Sequence, residues 1–215
     1  DHTNLVTGIL STDANGKLFN SILTLGKDKE LSDFSTYNKR KLVPFGEFVP
    51  LASLLRPLGK IFNIPMSSFS TGSSQQEPLT LSQVKFTPAI CYEAIYPNII
   101  ADMNNEDTQA ILMISNDGWF GPTRAPYQHL DMARMRSMEL QKPMLRCTNN
   151  GITTIIDPHG QLTESLPFNE EGVLSTNFKT YKGMTPYAQF GDLGVIIIML
   201  ILLSIGFIGA RRQGQ

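Results

Sequence analysis

The chain has 215 residues, 41% of them hydrophobic, with 18 Lys and Arg against 19 Asp and Glu and a net charge of −1. That length supports one domain with a real core, and the near-neutral balance gives no electrostatic reason to expect nucleic acid as a partner. Two cysteines, Cys91 and Cys147, and three scattered histidines, His2, His129 and His159, lack the spacing of a zinc site or a disulfide framework, so neither metal nor cofactor is expected.

In chain order, Leu5–Leu10 and Leu18–Leu25 are short apolar runs separated by Asn15-Gly16, the pattern of a hairpin. Residues 26–37 are polar and charged and predict a solvent loop. Pro44 and Pro50 bracket Phe45–Val49 and forbid a long regular element there, which predicts a shaped loop. Leu51–Phe62 predicts an amphipathic helix with Leu51, Leu54, Leu55 and Leu58 on one stripe. Ile64–Pro78 has neither period and predicts a long loop, a lid or a lipid contact through Phe62, Ile64, Met66 and Phe69. Packing of those side chains on their own domain is the alternative.

Phe86–Ile90 reads as a buried strand ending at Cys91-Tyr92-Glu93. Ala110–Ile114 is a second, ending in the glycine-punctuated loop Ser115–Gly121. Gln128–Gln141 predicts a helix closed by Pro143. Met144–Cys147, the Asn149-Asn150-Gly151 turn, a strand at Ile152–Ile156, the Asp157–Gly160 turn and a late strand at Val173–Thr176 follow. The order suggests sheets covered by helices.

Leu193–Ala210 is uncharged, rich in Ile and Leu, and followed by Arg211-Arg212. A stretch apolar on every face reads as a membrane span at the short end of the range for about 30 Å of hydrocarbon, with a buried core helix as the alternative. The arginine pair then places the C-terminus in the cytoplasm and the domain on the opposite side. A start at Asp1 without Met or leader raises the expectation of a longer protein with upstream spans.

The chemistry centres on Cys91. A thiol where a strand turns into a helix faces unpaired amides that favour a thiolate or an oxyanion, whereas a thiol in a core packs as a small hydrophobe. The residues around Cys91 leave both open. Both cysteines follow apolar segments and read as interior positions, Cys147 as structural, with a single bond between them left open. No motif sets His129 or His159 beside Cys91, so a Cys-His dyad is not expected. Lys39, in Tyr37-Asn38-Lys39-Arg40-Lys41, is the better partner because an ammonium group can hold an oxyanion and favour a thiolate, although a basic run also makes a solvated face. Asn116, Trp119 and Phe120 in the strand-end loop are candidates for substrate contact, with interior packing the alternative for Trp119. Arg134 and Arg136 read as solvated or ion-paired helix residues.

Tyr37-Asn38-Lys39, Leu42–Pro50, Ile90-Cys91-Tyr92-Glu93, Ser115–Gly121 and Asn149-Asn150-Gly151, in that order, resemble the nitrilase or carbon-nitrogen hydrolase superfamily. Within it the chain is similar to the bacterial apolipoprotein N-acyltransferase branch, through Gln128-His129, Met132–Arg136, Thr185-Pro186-Tyr187 and the closing apolar stretch. The resemblance implies an α/β fold, a nitrilase-like α-β-β-α sandwich incomplete at its N-terminal end and followed by one C-terminal transmembrane helix. Residues 1–190 would form the catalytic domain, 193–211 the span and 212–215 a cytoplasmic tail.

By that resemblance Cys91 would be the nucleophile, with Lys39 and the backbone amide of Tyr92 holding the oxyanion. Glu47 would orient Lys39, and Glu93 would support the site. The acyl donor would be a phospholipid and the acceptor the N-terminal α-amine of a lipid-modified apolipoprotein, at the bacterial inner membrane with the domain facing the periplasm. The superfamily's first glutamate, the general base, has no counterpart in context here; Glu30 is not assigned. The 215 residues alone are therefore expected to be inactive. A membrane-tethered amidase or nitrilase, and a non-catalytic binding module, are the competing readings.

Overall fold

In the computed structural model of the protein, residues 3–26, 34–50 and 68–213 are described. The expected hairpin forms from β1 (Asn4–Thr12) and β2 (Leu18–Gly26), antiparallel, with Thr12 opposite Leu18 and Asn4 opposite Gly26. Gly16 at its tip has φ +75°, which glycine adopts without steric cost. The Asp13 carboxylate accepts the amides of Asn15 and Lys17 across the turn. A third strand, β3 (Ser35–Asn38), pairs antiparallel with β2. It corrects the solvent loop expected through Tyr37, because Tyr37 and Lys39 are both buried. Four residues are too few for alternation to be visible in the sequence.

The second sheet has six strands in chain order: β4 (Leu79–Leu81), β5 (Val84–Ile90), β6 (Thr108–Ser115), β7 (Met144–Thr148), β8 (Thr154–Ile156) and β9 (Leu162–Ser165). β5, β6 and β7 run parallel, and the flanking pairs are antiparallel. α1 (Pro97–Met103) links β5 to β6, and α2 (Ala125–Leu140) links β6 to β7. β6 is apolar on both faces because both are covered. Pro88 sits in β5 beyond the last residue paired with β4, where one side of the strand carries no ladder.

Alternation sorts the side chains of this sheet. Phe86, Ile90, Ala110 and Leu112 meet Ile22 and Tyr37 of the three-stranded sheet. On the other face Ala89, Ile111, Met113 and Met144 meet Ile100 of α1 and Leu130, Ala133 and Leu140 of α2. Sheet, sheet and helices thus give three layers of the expected sandwich. The Leu51–Phe62 helix, most of the Ile64–Phe69 loop and Glu30 lie outside the described residues.

The three-stranded sheet lies over β4 and β5, and β1 reaches β6 at Gly8, where an added Cβ would stand 2.8 Å from Ile114. Beyond it, a cavity of about 550 Å³ is lined by Leu112, Leu145, Cys147, Thr148, Ile155 and Val173, among others. Cys147 alternates with the buried Arg146 and points to this open side. It is exposed, and both cysteines are free, which corrects its reading as an interior position.

Other elements depart from expectation as well. α2 begins at Ala125, three residues earlier than expected, because Pro126 needs no hydrogen-bond acceptor in a first turn; it ends at Gln141 in a left-handed cap. The Ile152–Ile156 strand starts at Thr154, since Ile152 uses its carbonyl to accept from the Arg146 guanidinium. Val173–Thr176 is irregular rather than a strand, and Val173 is 91% exposed.

The chain then crosses back over the helical layer. Lys142 donates to the carbonyls of Tyr181 (2.8 Å) and Gly183 (2.9 Å), and Thr185 donates to Glu139 O (2.6 Å) while capping α3 (Pro186–Phe190). α4 (Leu193–Gln213) follows. Among the described residues it is one helix long and apolar enough to cross a membrane, and its apolar side chains over Leu193–Arg211 are unburied, unlike those of a core helix. At 1.5 Å per residue it measures about 31 Å.

Candidate active site

β5 delivers Cys91 as predicted, at the junction between the strand and a 3₁₀ turn, Cys91–Ile95. Cys91 has φ +50°, a left-handed conformation that costs a non-glycine residue about 1 kcal/mol or more and persists only where the surroundings hold it. The thiol is half-buried against the cluster between the two sheets.

β3 delivers Lys39. Its side chain is 1% exposed, and the ammonium group donates to both oxygens of Glu47, at 2.9 and 2.8 Å. Glu47 is 14% exposed and also accepts from Asn20 Nδ2 and from the amide of Val43, both at 2.8 Å. The proline-bracketed loop makes this possible. Glu47 N donates to Val43 O at 2.8 Å, Phe45 N to Phe48 O at 2.7 Å, and Phe45 takes φ +61°, so the segment folds back and presents the carboxylate to Lys39. The solvated-face alternative holds for Lys41, which is exposed, and not for Lys39.

Glu93 binds the two segments together. Its Oε2 accepts the amide of Ile90 (2.8 Å), and its Oε1 accepts the amides of Arg40 (2.6 Å) and Lys41 (3.2 Å) and the hydroxyl of Tyr37 (2.8 Å). Cys91 and Lys39 are therefore each one residue from an amide held by the same buried carboxylate. Burial raises the Glu93 carboxyl above its usual range, against the hydrogen bonds that lower it. Burial, and then the charge of Glu93, raises the Tyr37 hydroxyl. Tyr92 is half-buried, packs edge-on against Tyr96 at 5.2 Å and accepts its hydroxyl at 2.9 Å; that bond, followed by burial, raises the Tyr92 hydroxyl.

The strand-end loop is a 3₁₀ turn, Asp117–Phe120, capped by the exposed Asn116, whose side chain accepts Gly118 N at 3.1 Å. Trp119 is 76% exposed, which removes the interior-packing alternative. Phe120 is half-buried and meets the His129 ring edge-on at 5.7 Å. Arg134 pairs with Asp131 and Arg136 with Glu139, consistent with ion-paired helix residues.

Beneath this loop lies a buried network that no motif announces. Asp117 is buried and accepts from Ser115 Oγ (2.6 Å) and Arg146 Nη2 (2.7 Å), and lies 3.1 Å from His129 Nδ1. Burial alone would raise its carboxyl, but His129, Ser115 and the charge of Arg146 outweigh that and hold it down at about 2. Gly151 makes room, since a Cβ there would sit 2.2 Å from Asp117 Oδ2. His129 Nε2 lies 3.0 Å from the carbonyl of Cys91. The available signal was periodicity. His129, Leu130, Ala133, Arg136 and Leu140 form one buried stripe of α2, so His129 faces the sheet rather than solvent. His159 is exposed in its turn. Among the described residues no group of three His, Cys, Asp or Glu side chains could hold a metal ion.

The profile of the carbon-nitrogen hydrolase family matches residues 2–181. Apolipoprotein N-acyltransferase from Shewanella oneidensis is 41% identical over 224 residues, covering 100% of this chain and 43% of the relative. The protein of the same name from Pasteurella multocida is 43% identical over 217 residues, covering 98% and 42%. The chain thus spans about two fifths of the length of these curated relatives. Among solved structures, a carbon-nitrogen hydrolase from Helicobacter pylori superposes with TM-score 0.57 at 16% identity, covering 79% of this chain and 60% of that one. A glutamine-dependent NAD+ synthetase from Acinetobacter baumannii gives 0.59 at 16% identity, covering 79% and 30%. At that identity these two likenesses speak to the fold alone.

Proposed function

The chain belongs to the carbon-nitrogen hydrolase family, and from that premise we propose that it carries the nucleophile and oxyanion site of a membrane N-acyltransferase that completes the lipid modification of apolipoproteins. The observation that carries the reading is the Glu93 carboxylate, which holds the amides beside Cys91 and Lys39 together. The names of the relatives supply the substrate class.

In the proposed reaction the Cys91 thiolate attacks the ester carbonyl of a phospholipid. The Lys39 ammonium, held by Glu47, and the amide of Tyr92 stabilise the oxyanion. The intermediate collapses with loss of the lysophospholipid alkoxide, which takes up the proton that left the thiol, and the acyl chain remains on sulfur as a thioester. The α-amine of the acceptor's N-terminal cysteine attacks next, the thiolate leaves, and the amine's surplus proton passes to the base. Transfer from thioester to amide is downhill because an amide is better stabilised by resonance.

Glu47 is engaged with Lys39, and Glu93 with four donors. By the family resemblance the base is a further glutamate, separate from both and without a counterpart in context in this sequence. α4, proposed as the C-terminal span with Arg211 at its cytoplasmic end, holds the site at the membrane where both lipid substrates reside and so raises their effective concentration. The exposed Trp119 fits a role at the lipid-facing mouth.

The test is an assay of the full-length protein with phospholipid and a diacylglyceryl-modified lipopeptide bearing a free α-amine. The expected product is the N-acylated lipopeptide. Release of free fatty acid with no acylated peptide would favour the hydrolase, and neither product would favour the binding module.

A further inference from the structure

The geometry points to His129 as a positioning residue for Cys91, the clamp that holds the nucleophile's backbone in its left-handed conformation and couples it to the Asn116–Gly121 loop. The inference rests on Cys91 being the nucleophile of the proposed transfer. Cys91 is restrained from both sides. The amide of the preceding Ile90 is held by Glu93 at 2.8 Å, and the carbonyl of Cys91 itself faces His129 Nε2 at 3.0 Å. A carbonyl only accepts, so Nε2 carries a proton and donates. The other ring nitrogen has a choice of partners. Nδ1 lies 3.1 Å from Asp117 Oδ1, to which it can donate, and 3.3 Å from Arg146 Nη2, from which it can accept. Either way the ring keeps its orientation and its bond to Cys91.

The clamp has a rigid base. Asp117, His129 and Arg146 are all buried, and Ser115 and Gly151 close around the Asp117 carboxylate. Phe120 packs on the ring edge-on, so the strand-end loop bears on the same imidazole that holds Cys91. The Lys39–Glu47 pair acts on the charge that develops in the reaction, whereas His129 acts on where the sulfur stands. Misplacing a reacting atom by about an ångström costs on the order of a hundredfold in rate.

The test uses the full-length protein in detergent. Iodoacetamide alkylation of Cys91 and Cys147 is followed by peptide mass, each rate taken relative to wild type, alongside the rate of thioester formation from phospholipid. His129→Ala is expected to slow Cys91 in both reactions by roughly ten- to hundredfold. The melting temperature should fall, because the buried imidazole leaves its partners unpaired, while the Cys147 rate and the half-saturating phospholipid concentration should stay close to wild type. His129→Gln, whose amide can donate to the Cys91 carbonyl, is expected to recover most of the loss. A Cys91 rate that His129→Ala leaves unchanged overturns the inference. So does a His129→Gln protein that folds yet loses as much as the alanine variant. Should His129→Ala fail to fold, seen as a lost thermal transition, the glutamine variant decides alone. A wild type that is alkylated at Cys91 but never takes an acyl chain overturns the acyl-transfer reading and leaves the alkylation comparison standing.

Discussion

Cys91 follows β5 and Cys147 sits near the end of β7, two parallel strands that flank β6 on opposite sides, and the protein treats the two thiols differently. Cys147 continues its strand in register with Ile114 and is exposed on the open face of the sheet. Cys91 leaves the strand with φ +50°, its neighbouring amide held by Glu93, its carbonyl by His129, and a buried ammonium group on the segment tied to it. A strand end and a thiol are common to both. What separates them is the backbone trap at Cys91 and the Lys39 segment that Glu93 ties to it, and neither is a property of the cysteine.

The widest separation is expected from the thiols themselves. In the full-length protein Cys91→Ser should lower acyl transfer by at least about a thousandfold, measured as N-acylated lipopeptide. Cys147→Ser should leave transfer unchanged and shift unfolding free energy by less than about 0.5 kcal/mol. Next come the charges of the segment that Glu93 ties to Cys91. Lys39→Ala should slow thioester formation by about a hundred- to a thousandfold. Glu47→Ala strands a buried ammonium group and should also cost about 3 kcal/mol in urea unfolding.

The connection between the two segments is expected to matter less. Glu93→Gln turns one acceptor oxygen into a donor facing another donor, the amide of Ile90, Arg40 or Lys41, and should cost about 2 kcal/mol of stability. An effect of the same size, confined to acid, is one of pH. Asp117 is held at about 2 in the folded chain against 3.8 as its ordinary value. A carboxylate with a lowered folded value contributes stability that is complete above its unfolded value and is lost as pH falls through the folded one. Between pH 5 and 2 the wild type should therefore lose about 2 kcal/mol more than Asp117→Asn, read from urea unfolding at each pH.

Local order was legible where the pattern is local. The Asn15-Gly16 hairpin, the apolar Ala110–Ile114 run of β6, the α2 helix and the uncharged Leu193–Ala210 stretch of α4 each follow from periodicity or composition over a single element. The strand end at Cys91 and the Lys39 and Glu47 motifs pointed to the site through resemblance, and the structure adds the Lys39–Glu47 pair and the Glu93 bond between the segments.

What stayed hidden depends on residues distant in sequence. A buried Lys39 looks like one member of a solvated basic run until β3 pairs with β2. Asp117, His129 and Arg146 lie on a loop, a helix and a strand, and no spacing announces a network assembled across three elements. Val173–Thr176 has the apolar content of a strand, but pairing, which the sequence does not encode locally, is missing. β4 and β9 err the other way, as short edge strands whose partners decide them.

The most direct measurement is the location of the acyl chain on the full-length protein after exposure to phospholipid without acceptor, by mass spectrometry of its peptides. The account expects one fatty acyl group, released by hydroxylamine, on the peptide carrying Cys91, and none on the peptide carrying Cys147. An adduct on Cys147, or a wild type that carries none while still acylating the lipopeptide, would contradict it.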